Sequence, residues 1–347
     1  MNRKKNHRRS WQNIALGVLC VVLLLILVAL ISGTAYVNYL LGLIEHNPGT
    51  DETYPSDFSW ATEPDDTIDP DYTGTIYNPT DVTIEDTAPD IIVSGENIVN
   101  ILLVGQDRRS NENYRTRSDS MILCTFNKGN NTITLTSFMR DMYVTIPGHR
   151  NFKMNAAYQW GGMSLLKETL AVNFGVHVDV CLEVDFDGFT KVIDTLGGVD
   201  INLNKDEVPY LNARSNNRWN LKVGLNHLNG EQALEYSRIR YVGNSDYERT
   251  ERQRRVITAL INQAKGSGWT TLLQMMEEVL PSITSDTSGS DLIKYAAELF
   301  PLISGEVITQ RIPANNTFST AYIQSVGSVL LPDFTANRAL LRKTLAG

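Results

Sequence analysis

The longest apolar run of the chain lies close to its N-terminus. Residues 14–31 contain no charged side chain, and a helix of this length can cross a bilayer. Five Lys or Arg residues precede the run (Arg3, Lys4, Lys5, Arg8 and Arg9), whereas the first Lys or Arg after it is Arg108. Because basic residues stay on the cytoplasmic side, we predict a cytoplasmic tail over 1–12, a single transmembrane helix over 13–36 and an extracytoplasmic remainder. A cleaved signal peptide is the alternative, but its apolar core is usually shorter.

The next segment is acidic and has only short apolar runs. Residues 45–96 are rich in Asp, Glu, Pro, Thr and Ser and contain neither Lys nor Arg. Repulsion between the carboxylates extends such a chain, and its composition does not favour folding. We predict an extracytoplasmic stalk over 37–97, with a cation-binding segment as the alternative.

Strand patterns begin after the stalk. Apolar, strand-forming residues fill Ile98 to Val104, Ser120 to Phe126 and Thr132 to Phe138. The turn-rich sequence at 127–131 predicts an antiparallel hairpin between the last two, which places Asp119 and Arg140 at one end of the sheet. If the loop at 106–118 also reverses the chain, Asp107 reaches the same end.

Helical and strand patterns then alternate. Apolar residues at helical spacing occur around Leu165 to Leu170 and from Phe186 to Leu196, and strand patterns cover Val178 to Val184 and Val199 to Leu203. Weaker signals predict a helix over 291–300 and a strand over 306–312. We predict one mixed α/β domain over 98–347, with helices covering the faces of the sheet.

Charge and cysteine content narrow the possible functions. The formal charge of −8 and isoelectric point near 5.2 argue against a general nucleic-acid binder, so any phosphate recognition must be local. Cys124 and Cys181 lie in apolar strand patterns and are predicted to be buried thiols, although a bridge between them is possible outside the cytoplasm. The sequence has neither a Walker A motif nor a G-x-S-x-G motif.

A helix predicted over 248–265 carries polar residues on its inner face. Val256, Leu260 and Ala264 form an apolar stripe that extends backwards to Gln253 and Arg249, so these two side chains should point inward. Arg254 and Arg255 fall on other faces and are predicted to be surface charges.

Several arginines and aspartates are candidates for a phosphate site. Guanidinium groups match phosphate oxygens, and the candidates are Arg117, Arg140, Arg238, Arg240 and Arg249. Structural ion pairs are the alternative for each arginine taken singly. Asp107 and Asp119 are candidate ligands of a hard cation that bridges a diphosphate, with turn capping or pairing to arginine as the alternative.

The sequence resembles the LytR-CpsA-Psr family of cell-wall glycopolymer ligases at these residues. The resemblance covers about 98–265 and rests on Asn100 to Asp107, Arg117 to Ser120, Arg140-Asp141, Lys153 to Tyr158, Gly197 to Asp200 and Leu228 to Leu234, followed by Arg238, Arg240 and Arg249 to Gln253. Met139 departs from the Pro that the family usually has before the Arg-Asp pair.

The resemblance implies a fold and a reaction. The fold is a central mixed β-sheet sandwiched between helices, with an apolar pocket for a polyprenyl chain. The reaction is transfer of a glycopolymer, such as teichoic acid or capsule, as a sugar phosphate from a polyprenyl diphosphate carrier to a peptidoglycan hydroxyl. The implied partners are that carrier-linked glycopolymer, peptidoglycan and the cell membrane of a Gram-positive-type envelope, and they do not include nucleic acid.

Residue roles follow from the same resemblance. The diphosphate would be bound by Arg117, Arg140, Arg238, Arg240, Arg249 and Gln253, and Mg²⁺ or Mn²⁺ held by Asp107 and Asp119 would neutralise charge on the leaving group. Arg140 would also serve catalysis, with Asp141 or Asp246 as the proton acceptor. The competing hypotheses are a non-catalytic module that binds the lipid-linked glycan or the wall, a transcription regulator, and a lipid pyrophosphatase.

Overall fold

The structure is a computed structural model that describes residues 36, 39, 42–47, 75–84, 95, 97–106, 117–240, 242, 246–266 and 277–345. The chain divides into two compact units, residues 1–43 and residues 44–347. In the described ranges, no helix combines the length and apolarity needed to cross a membrane. The predicted cytoplasmic tail and nearly all of the predicted transmembrane helix lie outside the described residues.

The second unit alternates strands and helices. The strands are β1 (Glu45–His46), β2 (Ile76–Tyr77), β3 (Ile98–Gln106), β4 (Ser118–Asn127), β5 (Thr132–Phe138), β6 (Tyr143–Val144), β7 (Phe152–Lys153), β8 (Val180–Val184), β9 (Val199–Leu203), β10 (Gly224–Leu228), β11 (Ile283–Ser285), β12 (Glu306–Ile312), β13 (Phe318–Ile323) and β14 (Gly327–Pro332). The α-helices are α1 (Met154–Phe174), α2 (Phe186–Thr195), α3 (Glu207–Arg214), α4 (Gly230–Ser237), α5 (Asp246–Gly266), α6 (Gly289–Leu299) and α7 (Phe334–Leu345).

The central sheet is mixed. Its strand order in the described part of the chain is β1-β11-β8-β3-β4-β5-β12. β4 pairs antiparallel with both β3 and β5, whereas β3 pairs parallel with β8 and β5 pairs parallel with β12. The side chain of Asn127 closes the β4–β5 turn by accepting a hydrogen bond from the amide of Gly129 at 2.9 Å. The predicted mixed sheet and hairpin are confirmed.

Helices cover both faces of this sheet, because alternate residues of each strand point to opposite sides. On one face, Leu102 and Leu123 share a buried core with Leu166 and Leu170 of α1 and with Leu341 of α7. On the other face, Ile122 and Leu135 pack against Ile257 and Ile261 of α5. The predicted sandwich of helices around a sheet is therefore confirmed, and the leucines of α1 serve ordinary core packing.

A second core lies on the other side of α5. The hairpin of β9 and β10 packs with α2, α3 and α4, and the buried residues there include Ile201, Leu211, Tyr236 and Val256. α5 therefore has two apolar faces, one against the central sheet and one against the β9–β10 unit.

Helix α1 is broken near its middle. Gly161 and Gly162 have non-helical backbone angles, and Gly162 has φ 63° and ψ −151°. Only glycine adopts such angles readily. The helix consequently has two segments that meet at this glycine pair.

Two short parts of the predicted stalk contact the folded domain. β1 pairs parallel with β11 at one edge of the central sheet, and β2 pairs parallel with β13. Most of the predicted stalk lies outside the described residues. Cys124 and Cys181 are buried free thiols, as predicted, and burial raises the pKa of Cys124 to about 12.

Candidate functional site

The predicted meeting of Asp119 and Arg140 occurs. Asp119 is the second residue of β4 and Arg140 follows the end of β5, so the hairpin brings them together. Nη1 of Arg140 lies 2.7 Å from Oδ1 of Asp119.

Arg140 contacts three carboxylates at once. Besides Asp119, its Nε lies 3.3 Å from Oδ2 of Asp141 and its Nη2 lies 3.3 Å from Oδ2 of Asp246 at the start of α5. Burial lowers the pKa of Arg140, but the three carboxylates raise it to a net value above the ordinary one. The guanidinium therefore remains charged and links the sheet end to α5.

Two further arginines contact the same carboxylate. In Arg249, Nη1 lies 3.9 Å from Oδ1 of Asp119, and Nη2 lies 3.3 Å from Oδ1 of Asp246. Nη2 of Arg240 lies 3.4 Å from Oδ1 of Asp119. We call Arg140, Arg240 and Arg249, gathered around Asp119, the arginine cluster.

Arg249 is the most deeply buried member of the arginine cluster. Arg249 is 3% exposed, and its Nε has no hydrogen-bond partner among the described residues. Burial, followed by repulsion from Arg140, lowers the pKa of Arg249 to about 10. A buried guanidinium with an unused donor, next to two others, favours binding of an anion with several oxygens.

Asp141 and Asp246 form an interacting carboxyl pair with opposite pKa shifts. Burial raises the pKa of Asp141; Arg140 and Lys153 lower it and Asp246 raises it, with a net shift upward. Burial also tends to raise the pKa of Asp246, but Arg249, Arg140 and Arg240 together lower it below the ordinary value. Asp246 is thus the ionised member, and Asp141 is the stronger base.

Gln253 is oriented toward the sheet, as the helical phase predicts. Its Oε1 accepts a hydrogen bond from the hydroxyl of Ser120 at 3.1 Å, one residue from Asp119. The inward orientation of Arg249 and Gln253 is therefore confirmed.

Arg117 and Arg238 have contacts outside the arginine cluster. Nε of Arg117 donates to Oε1 of Gln159 at 3.3 Å, and its guanidinium lies 5.7 Å from the ring centroid of Phe152. Arg238 is the C-cap of α4, and its Nη1 lies 3.7 Å from Oε1 of Glu235. Its Cζ lies 4.8 Å from the ring centroid of Phe186. Arg238 keeps helical backbone angles as the C-cap of α4.

A model of the LytR_cpsA_psr family matches residues 74–336, which is most of the chain. The chain belongs to the LytR-CpsA-Psr family.

Relatives within the LytR-CpsA-Psr family have two kinds of name. The chain is 30% identical over 257 residues to "Regulatory protein MsrR" of Staphylococcus aureus (strain COL), covering 73% of this chain and 76% of that protein. It is also 30% identical over 214 residues to "Polyisoprenyl-teichoic acid--peptidoglycan teichoic acid transferase TagT" of Bacillus subtilis (strain 168), covering 60% of this chain and 65% of TagT. A solved structure of TagT "with bound octaprenyl pyrophosphate lipid" matches with a TM-score of 0.57 at 25% identity, covering 73% of this chain and 92% of that one.

Of the two predicted metal ligands, the structure describes Asp119. Asp107 lies outside the described residues. Asp119 directs Oδ1 at the arginine cluster, while its Oδ2 has no hydrogen bond or ion pair within the described ranges. Where the chain is described, no group of three or more His, Cys, Asp or Glu side chains is arranged to hold a metal ion. If phosphate oxygens bind at the arginine cluster, one carboxylate oxygen of Asp119 beside them fits Mg²⁺, which commonly uses one or two carboxylates together with substrate phosphates and water.

The prediction that Arg254 is a surface charge is wrong. Arg254 is 7% exposed, whereas Arg255 is exposed as predicted. The reason is that α5 is covered on two faces, so a single apolar stripe does not define which of its side chains are buried.

A further buried arginine of α5, Arg252, binds the segment that carries Arg240. Arg252 is 1% exposed, and its Nε lies 2.8 Å from Oε1 of the equally buried Glu207. Its Nη1 and Nη2 donate to the carbonyls of Ile239 and Val242 at 3.2 and 3.1 Å. These bonds fix the segment that carries Arg240. Arg252 lies four residues before Val256 of the apolar stripe, and this helical spacing is a sequence signal that could have indicated its burial.

Proposed function

We propose that this protein is a phosphotransferase that attaches an anionic cell-wall glycopolymer to peptidoglycan. The donor is the glycopolymer linked to a polyprenyl diphosphate, and the acceptor is a peptidoglycan hydroxyl. The observation that carries the proposal is the arginine cluster around Asp119 with the carboxyl pair Asp141 and Asp246 beside it. Membership of the LytR-CpsA-Psr family, the name of TagT and the lipid bound to TagT support the same reaction.

The arginine cluster would bind the diphosphate. Arg140 and Arg249 are fixed by ion pairs and burial, so little side-chain entropy is lost when phosphate oxygens reach them. Arg240, whose side chain is 41% exposed, is placed to approach from the open side. Three guanidiniums would stabilise the negative charge that develops on the departing polyprenyl phosphate.

Asp141 would accept the proton of the acceptor hydroxyl. The hydroxyl oxygen attacks the phosphorus that carries the sugar, a new P–O bond forms, and the bond to the oxygen bridging the two phosphates breaks. The proton passes to Asp141, whose raised pKa makes it a better acceptor than the ionised Asp246. Asp246 orients Arg140 and Arg249 during this step.

Mg²⁺ or Mn²⁺ is part of the proposal. Asp119, with Asp107 from the adjoining segment, would hold the ion against the diphosphate. The ion would reduce repulsion between these carboxylates and the substrate.

The location of the reaction follows from the predicted topology. A helix over 13–36 would hold the domain at the outer face of the cell membrane, where the lipid-linked donor and the peptidoglycan acceptor meet.

The decisive experiment combines the purified full-length protein in detergent with a polyprenyl-diphosphate glycan and peptidoglycan fragments. We expect mass spectrometry to show a phosphodiester between glycan and peptidoglycan, with one polyprenyl phosphate released per linkage. Binding of donor without any product would indicate a non-catalytic module. Release of phosphorylated glycan with no linkage would indicate a pyrophosphatase. Either result would overturn the proposed transfer.

A further inference from the structure

A second polar region lies on the face of α5 that carries Arg254. A cavity of about 1160 Å³ is lined by Lys205, Arg254, Arg255, Thr258 and Asn262, among others. A smaller cavity of about 670 Å³ is lined by Tyr247, Arg254, Gln310, Arg311 and Asn315, among others. Arg254 and Glu251 line both cavities, so the two meet at these side chains.

Arg254 lacks the partners that a buried arginine needs. Nε and Nη1 of Arg254 are buried and have no hydrogen-bond partner among the described residues. Burial lowers the pKa of Arg254 to about 10; Glu251 raises it, while Arg311 and Arg255 lower it. The carboxylate of Glu251 is already 2.5 Å from Nη2 of Arg255. The hydroxyl of Thr258, one turn further along the same face, is likewise buried and has no hydrogen-bond partner in the described part of the chain.

The smaller cavity begins beside the reacting groups. Tyr247, which lines it, directly follows Asp246, and its ring stacks on Phe318 with centroids 5.8 Å apart. The guanidinium of Arg311 lies 4.4 Å from the ring centroid of Tyr247. The carboxylates of Asp141 and Asp246 are close enough to Tyr247 to act on its pKa. Moving from the carboxyl pair along α5, a ligand therefore meets Tyr247, then Arg311, then Arg254.

The chemistry of this path suits one of the two substrates. The donor diphosphate belongs at the arginine cluster, whereas the acceptor hydroxyl must reach Asp141. Amides, hydroxyls and an aromatic ring suit a sugar chain, and two or three guanidiniums with few uncompensated carboxylates suit carboxylate groups on that chain.

We propose that the two cavities form one groove along α5 that binds the acceptor glycan strand, and that Arg254 binds a carboxylate of that strand. This inference rests on the proposed function, because it assigns the acceptor of the same reaction. In the bound state a carboxylate would accept hydrogen bonds from Nε and Nη1 of Arg254, for which the described residues supply no acceptor. Arg311 would contact the strand nearer to Tyr247.

The test is direct binding of soluble, uncrosslinked peptidoglycan strands with free carboxylates to the full-length protein in detergent, without donor. Arg254→Met should weaken binding about tenfold or more, because a charge-assisted hydrogen bond is lost. The matched control is Arg214→Met, which removes an exposed guanidinium outside both cavities and should leave binding unchanged.

A second measurement separates a binding role from a structural role. Removing a buried charge without a partner should leave the unfolding temperature unchanged or raise it, so Arg254→Met should fold normally. Strands with amidated carboxylates should bind the wild-type protein about as weakly as strands with free carboxylates bind Arg254→Met. The Arg254→Met variant should bind both kinds of strand equally. A loss of several degrees in unfolding temperature, or equal binding by wild type and variant, would overturn the inference.

Two controls separate this inference from the proposed function. If a soluble glycerol-phosphate oligomer binds to the groove and peptidoglycan strands do not, the groove binds the donor and the acceptor assignment is wrong. If strands bind through Arg254 but no glycopolymer is transferred, the proposed function fails while the groove stands.

Discussion

Replacing Arg252 with methionine tests whether the buried pair behind the site holds α5 in place. Met retains much of the side-chain volume but removes the charge. Glu207, which is 1% exposed, then lacks its arginine partner. The remaining contact of Glu207 is the hydrogen bond that its Oε2 accepts from the amide of Asn204 at 2.9 Å. Breaking one half of a buried ion pair costs about 3–5 kcal/mol of the free energy of unfolding.

Thermal unfolding followed by circular dichroism measures this cost. For a domain of this size about 1 kcal/mol shifts the midpoint by roughly 2–4 °C, so we expect Arg252→Met to lower it by roughly 6–20 °C. The matched control is Arg255→Met on the same helix, where the exposed pair with Glu251 contributes less than about 1 kcal/mol. The double variant Arg252→Met/Glu207→Leu should recover part of the loss, because no buried charge remains unpaired. Equal small shifts for Arg252→Met and Arg255→Met would refute this reasoning.

Further predictions concern turnover. Arg249→Ala and Gln253→Ala should each reduce kcat/KM by about a hundredfold, with the exposed Arg214→Ala nearly unchanged, and equal losses in all three would contradict the inward orientation. Activity should be lost on acidification, because Asp141 acts only when it is deprotonated. The loss should occur at a higher pH than an ordinary aspartate would give, because the pKa of Asp141 is raised. Asp246→Asn removes a neighbouring charge that raises this pKa, so the acidic limb of the remaining activity should move to lower pH; an unmoved limb would exclude Asp141 as the base. Asp119→Asn should raise the Mg²⁺ concentration needed for half-maximal rate, and undiminished turnover of the wild-type protein in excess chelator would remove the metal from the mechanism.

Local patterns in the sequence predicted most of the central sheet. β5 and β9 have the predicted bounds, because short apolar runs between turn residues are strong strand signals, and β12 has the bounds that its weaker pattern predicted. The meeting of Asp119 with Arg140 followed from the hairpin alone, since a two-strand register is a local property. Helical phase likewise predicted that Arg249 and Gln253 point inward.

Packing between elements that are distant in sequence could not be predicted from local patterns. The burial of Arg252 and Arg254 depends on the β9–β10 unit and on β12, which approach α5 from distant parts of the chain. The pairing of Asp141 with Asp246 likewise joins residues far apart in sequence, so the sequence left the choice of base open. Charged side chains in a helix are ordinarily read as exposed, and only the fold shows where a second layer covers them.

The glycine pair in α1 has a consequence for fluctuations near the site. Met154 and Tyr158 in the first segment of α1 and Leu166 and Leu170 in the second are buried in the same core, and the first segment follows directly after Lys153, a neighbour of Asp141. Since the helical backbone is interrupted at Gly161 and Gly162, opening of one segment does not require opening of the other. A destabilising substitution in the second segment, such as Leu170→Ala, should therefore speed amide hydrogen exchange at 166–174 more than at 155–160. The part of the helix beside the reacting groups thus has its own free energy of opening, separate from that of the core.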